Sequence, residues 1–275
     1  MTNKVKSLTP NAKVRIMQWN IGHFAMGLAN DTTLTPETYA QKLPSYKQMI
    51  HEADADIVCV CEYNREMLKP GGAQPDILAK DTIFSNYPYP MEAWRASQSP
   101  YMWTAIMSRL KAKSWENDVF ANSMTVQKGR YMQIATIEIG GREVKVVATH
   151  LDWGSSSIPY SSQYEDTNDA KRLAQIQYII NKFANDKYVI VCADYNTAGT
   201  SEYDAFLSAG YQMANHGYLG DLPTVEDGAA GRHGDGRCLD NIIVKGFSIG
   251  ATKVYDQELE LSDHMPIACT LTMID

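Results

Sequence analysis

The 275-residue chain is 44% hydrophobic, enough to bury a substantial core, and carries 25 basic against 32 acidic residues for a formal net charge of −7. A field of that sign repels polyanions and argues against a dedicated duplex-DNA binder, although a few arginines at a cleft and a bound divalent cation reverse it locally. No apolar stretch approaches the ~20 residues of a membrane span and residues 1–11 lack the apolar segment of a signal peptide, so a soluble chain is expected; a leader removed earlier would leave its compartment open.

No repeat, low-complexity tract or Pro/Gly/Ser-rich linker divides the sequence, and a single domain over residues 1–275, monomeric, is expected. Val14–Asn20 is a short apolar run of strand type. Pro36–Ala53 follows as a helix, with Tyr39, Leu43, Tyr46 and Ile50 at helical spacing. Ile57–Cys61 is unbroken apolar sequence, as a strand buried on both faces would be, and it stops at Glu62. Trp103–Ser108 reads as another strand. Met132–Ile139 and Val144–Thr149 flank Gly140-Gly141 and predict a hairpin. Asp169–Phe183 is amphipathic, with Leu173, Ile176, Ile180 and Phe183 on one stripe, and the strand Val189–Cys192 follows at once. Cys238–Val244 and Pro266–Met273 supply late strands. Strands alternating with two helices, plus hairpins, predict mixed sheets with helices outside. Long irregular segments at Lys69–Asp76, Asp152–Glu165 and Asp221–Arg237 are expected to rim a site.

Four of the five cysteines, at positions 59, 61, 192, 238 and 269, sit in or beside these apolar runs and read as buried thiols. Cys59 and Cys61 are spaced C-x-C, which on a strand puts both on one face and does not match a zinc knuckle or a C-x-x-C redox pair.

Polar residues suited to phosphate chemistry stand where the apolar runs stop: Asn20, Glu62, His150, Asp194 with Asn196, and Asp263 with His264. Each alone has a plain structural reading as a turn residue, helix cap or hydrogen-bonded core side chain; their coincidence points to a site. Glu62, Asp263 and the amide oxygen of Asn20 would give Mg²⁺ the hard oxygen ligands it takes, with Mn²⁺ able to substitute. Asp194 and Asn196 lie two apart, so on an extended chain both side chains point the same way, one to hold a water and one to steady a phosphoryl oxygen. Adjacent Asp263 and His264 would face opposite ways on a regular strand. An irregular entry starting at Ser262 is therefore needed if both serve one site.

The segments MQWNIG (17–22), VCVCEYN (58–64), ATHLDWG (148–154), VIVCADYNTA (189–198), CLDNIIV (238–244) and LSDHMPI (261–267) resemble, in order, the motif set of the endonuclease/exonuclease/phosphatase superfamily. That group includes pancreatic-type deoxyribonucleases, abasic-site endonucleases, bacterial sphingomyelinases and inositol-polyphosphate 5-phosphatases. The resemblance implies a four-layer α/β sandwich, two mixed β-sheets flanked by helices, with a metal site at one end. By motif position it implies Asn20, Glu62 and Asp263 as metal ligands, Asp194 and Asn196 handling water and phosphate, Asp240 orienting His264, and His150 completing the phosphate pocket. Ser108-Arg109 resembles the family's strand-end Ser-Arg. Two departures are local: the usual Gly-Asp-Phe-Asn is Ala193-Asp194-Tyr195-Asn196, and the usual Asp-Tyr is Asp240-Asn241. His150 within T-H-L is similar to the deoxyribonuclease and sphingomyelinase branches rather than to the abasic-site enzymes.

The expected activity is Mg²⁺-dependent hydrolysis of a phosphoester, with in-line attack of a water that Asp194 positions. The acidic balance and the aromatics Trp153, Tyr160 and Tyr164 favour a small, sugar-linked or lipid-derived phosphate. A DNA or RNA nuclease is the alternative, for which Lys128, Arg130, Arg232 and Arg237 are candidate backbone contacts. A protein that keeps the fold only for binding would lack Glu62, Asp194 or His264, and a zinc hydrolase would want a histidine or thiolate cluster.

Overall fold

The computed structural model describes residues 11–24, 36–63, 79–92, 103–120, 130–152, 169–197, 200–215, 239–255, 261–262 and 264–274. The strands are β1 (Lys13–Asn20), β2 (Ile57–Tyr63), β3 (Tyr89–Glu92), β4 (Trp103–Ser108), β5 (Ala112–Val119), β6 (Tyr131–Ile139), β7 (Arg142–His150), β8 (Val189–Asp194), β9 (Gln212–Met213), β10 (Asp240–Lys245), β11 (Phe247–Val254) and β12 (Ile267–Met273). The α-helices are α1 (Pro36–Ala53), α2 (Ala79–Thr82), α3 (Asp169–Lys182) and α4 (Thr200–Ser208). Two six-stranded sheets result, ordered β11-β12-β1-β2-β4-β3 and β5-β6-β7-β8-β10-β9. Each is mixed: β1 pairs parallel with β2, β7 pairs parallel with β8, and the other pairings are antiparallel.

Period-two alternation decides which side chains meet between the sheets. Val14 and Ile16 of β1, Ile57 and Cys59 of β2, Val144, Val146 and Ala148 of β7, Ile190 and Cys192 of β8, and Ile242 and Val244 of β10 form one buried inter-sheet layer. The opposite face of the first sheet, with Met17, Trp19, Val58 and Val60, packs on Tyr46, Met49, Ile50 and Ala53 of α1. The outer face of the second, with Met132, Ile134, Val147, Val189, Val191 and Ile243, packs on Ile176 and Ile179 of α3, on Phe183 just beyond it, and on Tyr203 and Phe206 of α4. The layers are thus helix, sheet, sheet, helix, as the resemblance implied. A one-residue slip in any central strand would exchange these faces, and each fully buried Val, Ile or Leu contributes about 1.5–3 kcal/mol, so the register is strongly specified.

The β6–β7 hairpin turns at Gly140 and Gly141, both left-handed at φ 57° and 81°, with Ile139 opposite Arg142. Two adjacent positive-φ residues are what a hairpin turn matched to strand twist requires. The edge strands β5 and β11 carry alternation too exposed to read as strands from their sequences AKSWENDV and FSIGATKV. The predicted stripe on α3 is displaced. Leu173 is 40% exposed, whereas Arg172, Gln175, Ile176 and Ile179 are buried. Helix α4, absent from the sequence reading, supplies the cause: Arg172 Nε donates to the buried Glu202 carboxylate there. Cys59, Cys61, Cys192 and Cys269 are buried free thiols, and Cys238 lies outside the described residues. The three predicted irregular segments likewise lie outside them, apart from Asp152.

Candidate active site

At one end of the inter-sheet layer the inward-facing rows change from apolar to polar. β1 ends in Gln18 and Asn20 after Val14 and Ile16, β7 ends in His150, β8 ends in Asp194, and β10 begins with Asp240. Register fixes three of these as neighbours, because His150 pairs with Asp194 across β7–β8 and Asp194 pairs with Asp240 across β8–β10. The first sheet lies over this row. Asn20 Nδ2 donates to Asp194 Oδ2 at 2.9 Å, and Gln18 Nε2 donates to Asp240 Oδ1 at 3.3 Å.

Asp194 is the hub. Its Oδ1 accepts from the Asn196 backbone N–H at 2.8 Å, and its Oδ2 lies 3.3 Å from His150 Nε2 and 3.8 Å from His264 Nε2. Burial alone would raise this carboxyl, but the two histidines and the hydrogen bonds from His150 and Asn20 outweigh it and hold Asp194 far below the usual carboxylate range. Burial, then the nearby Arg130 charge, lowers His150. His150 Nε2 faces Asp194, and Nδ1 is a buried atom with no hydrogen-bond partner among the described residues.

His264 Nδ1 and Asp240 Oδ2 are 2.6 Å apart, which fixes the ring's orientation. Burial raises Asp240 to about 6 despite the opposing pull of His264. The entry to β12 is irregular, as expected: the Ser262 hydroxyl donates to the Asn20 carbonyl at 2.7 Å and accepts from the His264 backbone N–H at 3.1 Å. Trp19 Nε1 donates to the His264 carbonyl at 3.1 Å, a second tie between β1 and this turn. Asp263, expected as a metal ligand, lies outside the described residues.

Glu62 is the extra residue of a β-bulge. The β2–β4 register shifts between Cys61 and Tyr63, and Glu62 itself is left-handed at φ 50°. Bulges re-aim side chains, and here the Glu62 carboxylate comes to 4.0 Å from His150 Nε2.

One expectation is corrected. The chain does not stay extended through Asn196, which is left-handed at φ 52°; its Nδ2 donates to the Leu151 carbonyl at 3.0 Å and ties the two site-bearing loops together. An Asx turn onto Asp194 Oδ1 competes with the strand and ends it there. Arg109 is not at the site: it binds Asp54 at 2.7 Å beside the start of β2, opposite the end that carries Glu62. The departures from the family pattern are accommodated. Tyr195 packs edge-on against Tyr203 and Phe206, and the Asn241 side chain brackets Asn215 through N–H and carbonyl.

Arg130, named in the sequence only as one of several scattered bases, is the residue that reading underused. It is buried just before β6, and neither Nη1 nor Nη2 has a hydrogen-bond partner among the described residues. Burial lowers its pKa while Asp152, Glu62 and Asp194 oppose the shift. Lys128, Arg232 and Arg237 lie outside the described residues, as do Trp153, Tyr160 and Tyr164.

The chemistry of the residues gathered here suits a hard cation. Asp194, Asp240 and His264 offer atoms all within 4.8 Å of one another, Asp240 and His264 are joined to each other, and Glu62 and Asn20 bring further carboxylate and amide oxygens to the same end of the sheets.

The model of the Endonuclease/Exonuclease/phosphatase family matches residues 17–264. No curated protein matches the chain in sequence. Among solved structures it is similar to an endonuclease/exonuclease/phosphatase from Bacteroides vulgatus, at 16% identity and TM-score 0.68 over 95% of this chain and 99% of that one. A mannosyl-6-phosphatase from Bacteroides thetaiotaomicron VPI-5482 is similar at 16% identity and TM-score 0.63, covering 94% and 99%. The human Nocturnin catalytic domain with bound sulfate anion is similar at 18% identity and TM-score 0.62, covering 96% and 94%. Members of the matched family are phosphoester hydrolases and generally depend on a divalent metal. The chain belongs to the Endonuclease/Exonuclease/phosphatase family and is a hydrolase of phosphoester bonds.

Proposed function

We propose that the chain is a Mg²⁺-dependent phosphatase or phosphodiesterase acting on a small, sugar-linked or lipid-derived phosphate, with Mn²⁺ able to replace Mg²⁺. The observation that carries this reading is the buried Arg130, whose two terminal nitrogens have no partner among the described residues and which lies in the field of Asp152, Glu62 and Asp194. A buried cation with two vacant donors is costly unless an anion completes it, and a planar fork suits two phosphoryl oxygens. The sulfate in the Nocturnin structure is an anion of similar shape, and the mannosyl-6-phosphatase acts on a sugar phosphate by its name.

Glu62 and Asn20, with Asp263, are the residues that would hold the metal, which when bound supplies charge neutralisation at the phosphoryl and leaving oxygens. Asp194, ionised and gripped by Asn20 and Asn196, orients a water for in-line attack. His264, steered by Asp240, faces the same carboxylate and donates to the oxygen on which charge grows. His150 holds Asp194 from the other side, and Arg130 seats the phosphate. The net charge of −7 favours a small substrate over a polynucleotide.

The test is a panel with Mg²⁺ or Mn²⁺ comparing sugar phosphates, inositol phosphates, sphingomyelin, nitrophenyl esters, plasmid DNA and single-stranded RNA. Highest turnover on a small or lipid-derived ester supports the proposal. Nucleic-acid cleavage above all the others replaces it with the nuclease reading.

A further inference from the structure

Asp152 is a buried carboxylate that the chemistry above does not use. It lies two residues beyond His150, and the intervening Leu151 packs on the α3 side of the sheet, so alternation returns Asp152 to the side that carries His150. Its backbone is pinned from three directions. Asp152 N–H donates to Gln175 Oε1 at 2.9 Å, Leu151 N–H donates to the Asp194 carbonyl at 3.0 Å, and the Leu151 carbonyl accepts from Asn196 Nδ2 at 3.0 Å. The carboxylate is therefore presented by a rigid frame built from the same residues that fix Asp194.

Asp152 is 8% exposed, and its Oδ2 is buried without a hydrogen-bond partner among the described residues. Arg130 is 3% exposed and feels Asp152 more than any other charge, yet neither of its terminal nitrogens bonds to it. A buried donor fork and a buried acceptor thus lie within each other's field, neither satisfying the other. Unsatisfied buried groups of both signs are uncommon, and here they ask for a ligand with both polarities. A phosphoryl group answers the fork. What answers Oδ2 must bring a proton and no negative charge, which a hydroxyl on the carbon framework next to the phosphate does; a second phosphate, as in a polynucleotide, is repelled.

We infer that Asp152 is a specificity residue, accepting a hydrogen bond from a hydroxyl of a polyol phosphate, a sugar phosphate in particular, whose phosphoryl group Arg130 holds. The inference rests on the proposed small-phosphate hydrolase reading and names its substrate class. Because Asp152 grips a remote hydroxyl and not the reacting atoms, its removal erases preference among esters.

The experiment compares kcat/KM for a hexose 6-phosphate and for ethyl phosphate, with Mg²⁺, in the wild type, Asp152→Asn and Asp152→Ala. A ratio taken within each variant cancels any loss of folded protein. The expected wild-type ratio is at least about tenfold in favour of the hexose phosphate, since a hydrogen bond to a charged group discriminates at that level or above. It falls below about threefold in Asp152→Ala. On the wild type alone, a series of hexose 6-phosphates each lacking one hydroxyl contains at least one member whose kcat/KM drops about tenfold. An unchanged ratio in the variants, an equal fall on both esters as a second-metal role would give, or a deoxy series without effect each overturns the inference while leaving the hydrolase standing. Absence of turnover on every phosphate ester overturns the underlying reading as well.

Discussion

Asn20 Nδ2 donates to Asp194 Oδ2 at 2.9 Å, joining residues 174 positions apart and the two sheets of the sandwich. The bond exists because β1 and β8 each place their last inward-facing residue at the same end of the inter-sheet layer. Asn20→Ala therefore removes one of the bonds that hold Asp194, leaving those from Asn196 and His150. The expected result is a fall in kcat of about 100-fold with little change in thermal stability, the scale on which loss of one positioned donor acts. Asn20→Asp sets two carboxylates against each other, and its kcat falls further in the same assay.

Asp240 links catalysis to stability with a defined sign. Its folded pKa is raised to about 6 from the ordinary 3.8, so its favourable contribution is complete below about pH 3.8 and is lost as pH rises through about 6. Roughly two pKa units correspond to about 3 kcal/mol. Asp240→Asn cannot ionise, so denaturant titrations should find it more stable than the wild type at pH 7.5, with the gain gone at pH 4. Its turnover is lower throughout, because the amide no longer orients His264 as a carboxylate does.

The buried pair Arg172–Glu202 holds α3 to α4, and Glu202 also accepts from the Thr197 hydroxyl directly after Asn196. Glu202→Ala strands a buried guanidinium, and the expected cost is about 3–5 kcal/mol of unfolding free energy, read from a shift in the denaturant midpoint. A surface charge removal such as Lys113→Ala, at the edge strand, is the control and should leave that midpoint nearly unchanged.

Arg130→Ala is expected to raise both KM for phosphate esters and the inhibition constant of inorganic phosphate by about 10- to 100-fold, since a charge-assisted hydrogen bond contributes about 1.5–3 kcal/mol. Arg130→Lys recovers only part of that, because an ammonium lacks the planar two-donor fork. Steady-state kinetics with phosphate as competitor separates the two variants.

Much of this arrangement was legible in the sequence for a physical reason. Val14, Ile16, Gln18 and Asn20 keep one period, so a polar residue at the end of an apolar alternation is already facing the core, and the same holds for His150 and Asp194. Departures from that period were not legible. The Glu62 bulge and the left-handed turn at Asn196 depend on pairing with β4 and on an Asx bond to Asp194, neither of which spacing reveals. On α3, Leu173 read as core and Arg172 did not stand out, because the partner that buries the arginine arrives from α4, thirty residues on. In the sequence Arg130 is one basic residue among several, and its significance comes from burial.

The account stands on Asp194 as the ionised centre of a metal-dependent phosphoester hydrolysis. Its most direct test is single-turnover hydrolysis of a small phosphate ester with saturating Mg²⁺ by the wild type, Asp194→Ala and His264→Ala. The account predicts losses of about 100-fold or more in both variants and abolition of wild-type turnover by chelator, restored by Mg²⁺ or Mn²⁺. Near-normal rates in both variants would contradict it.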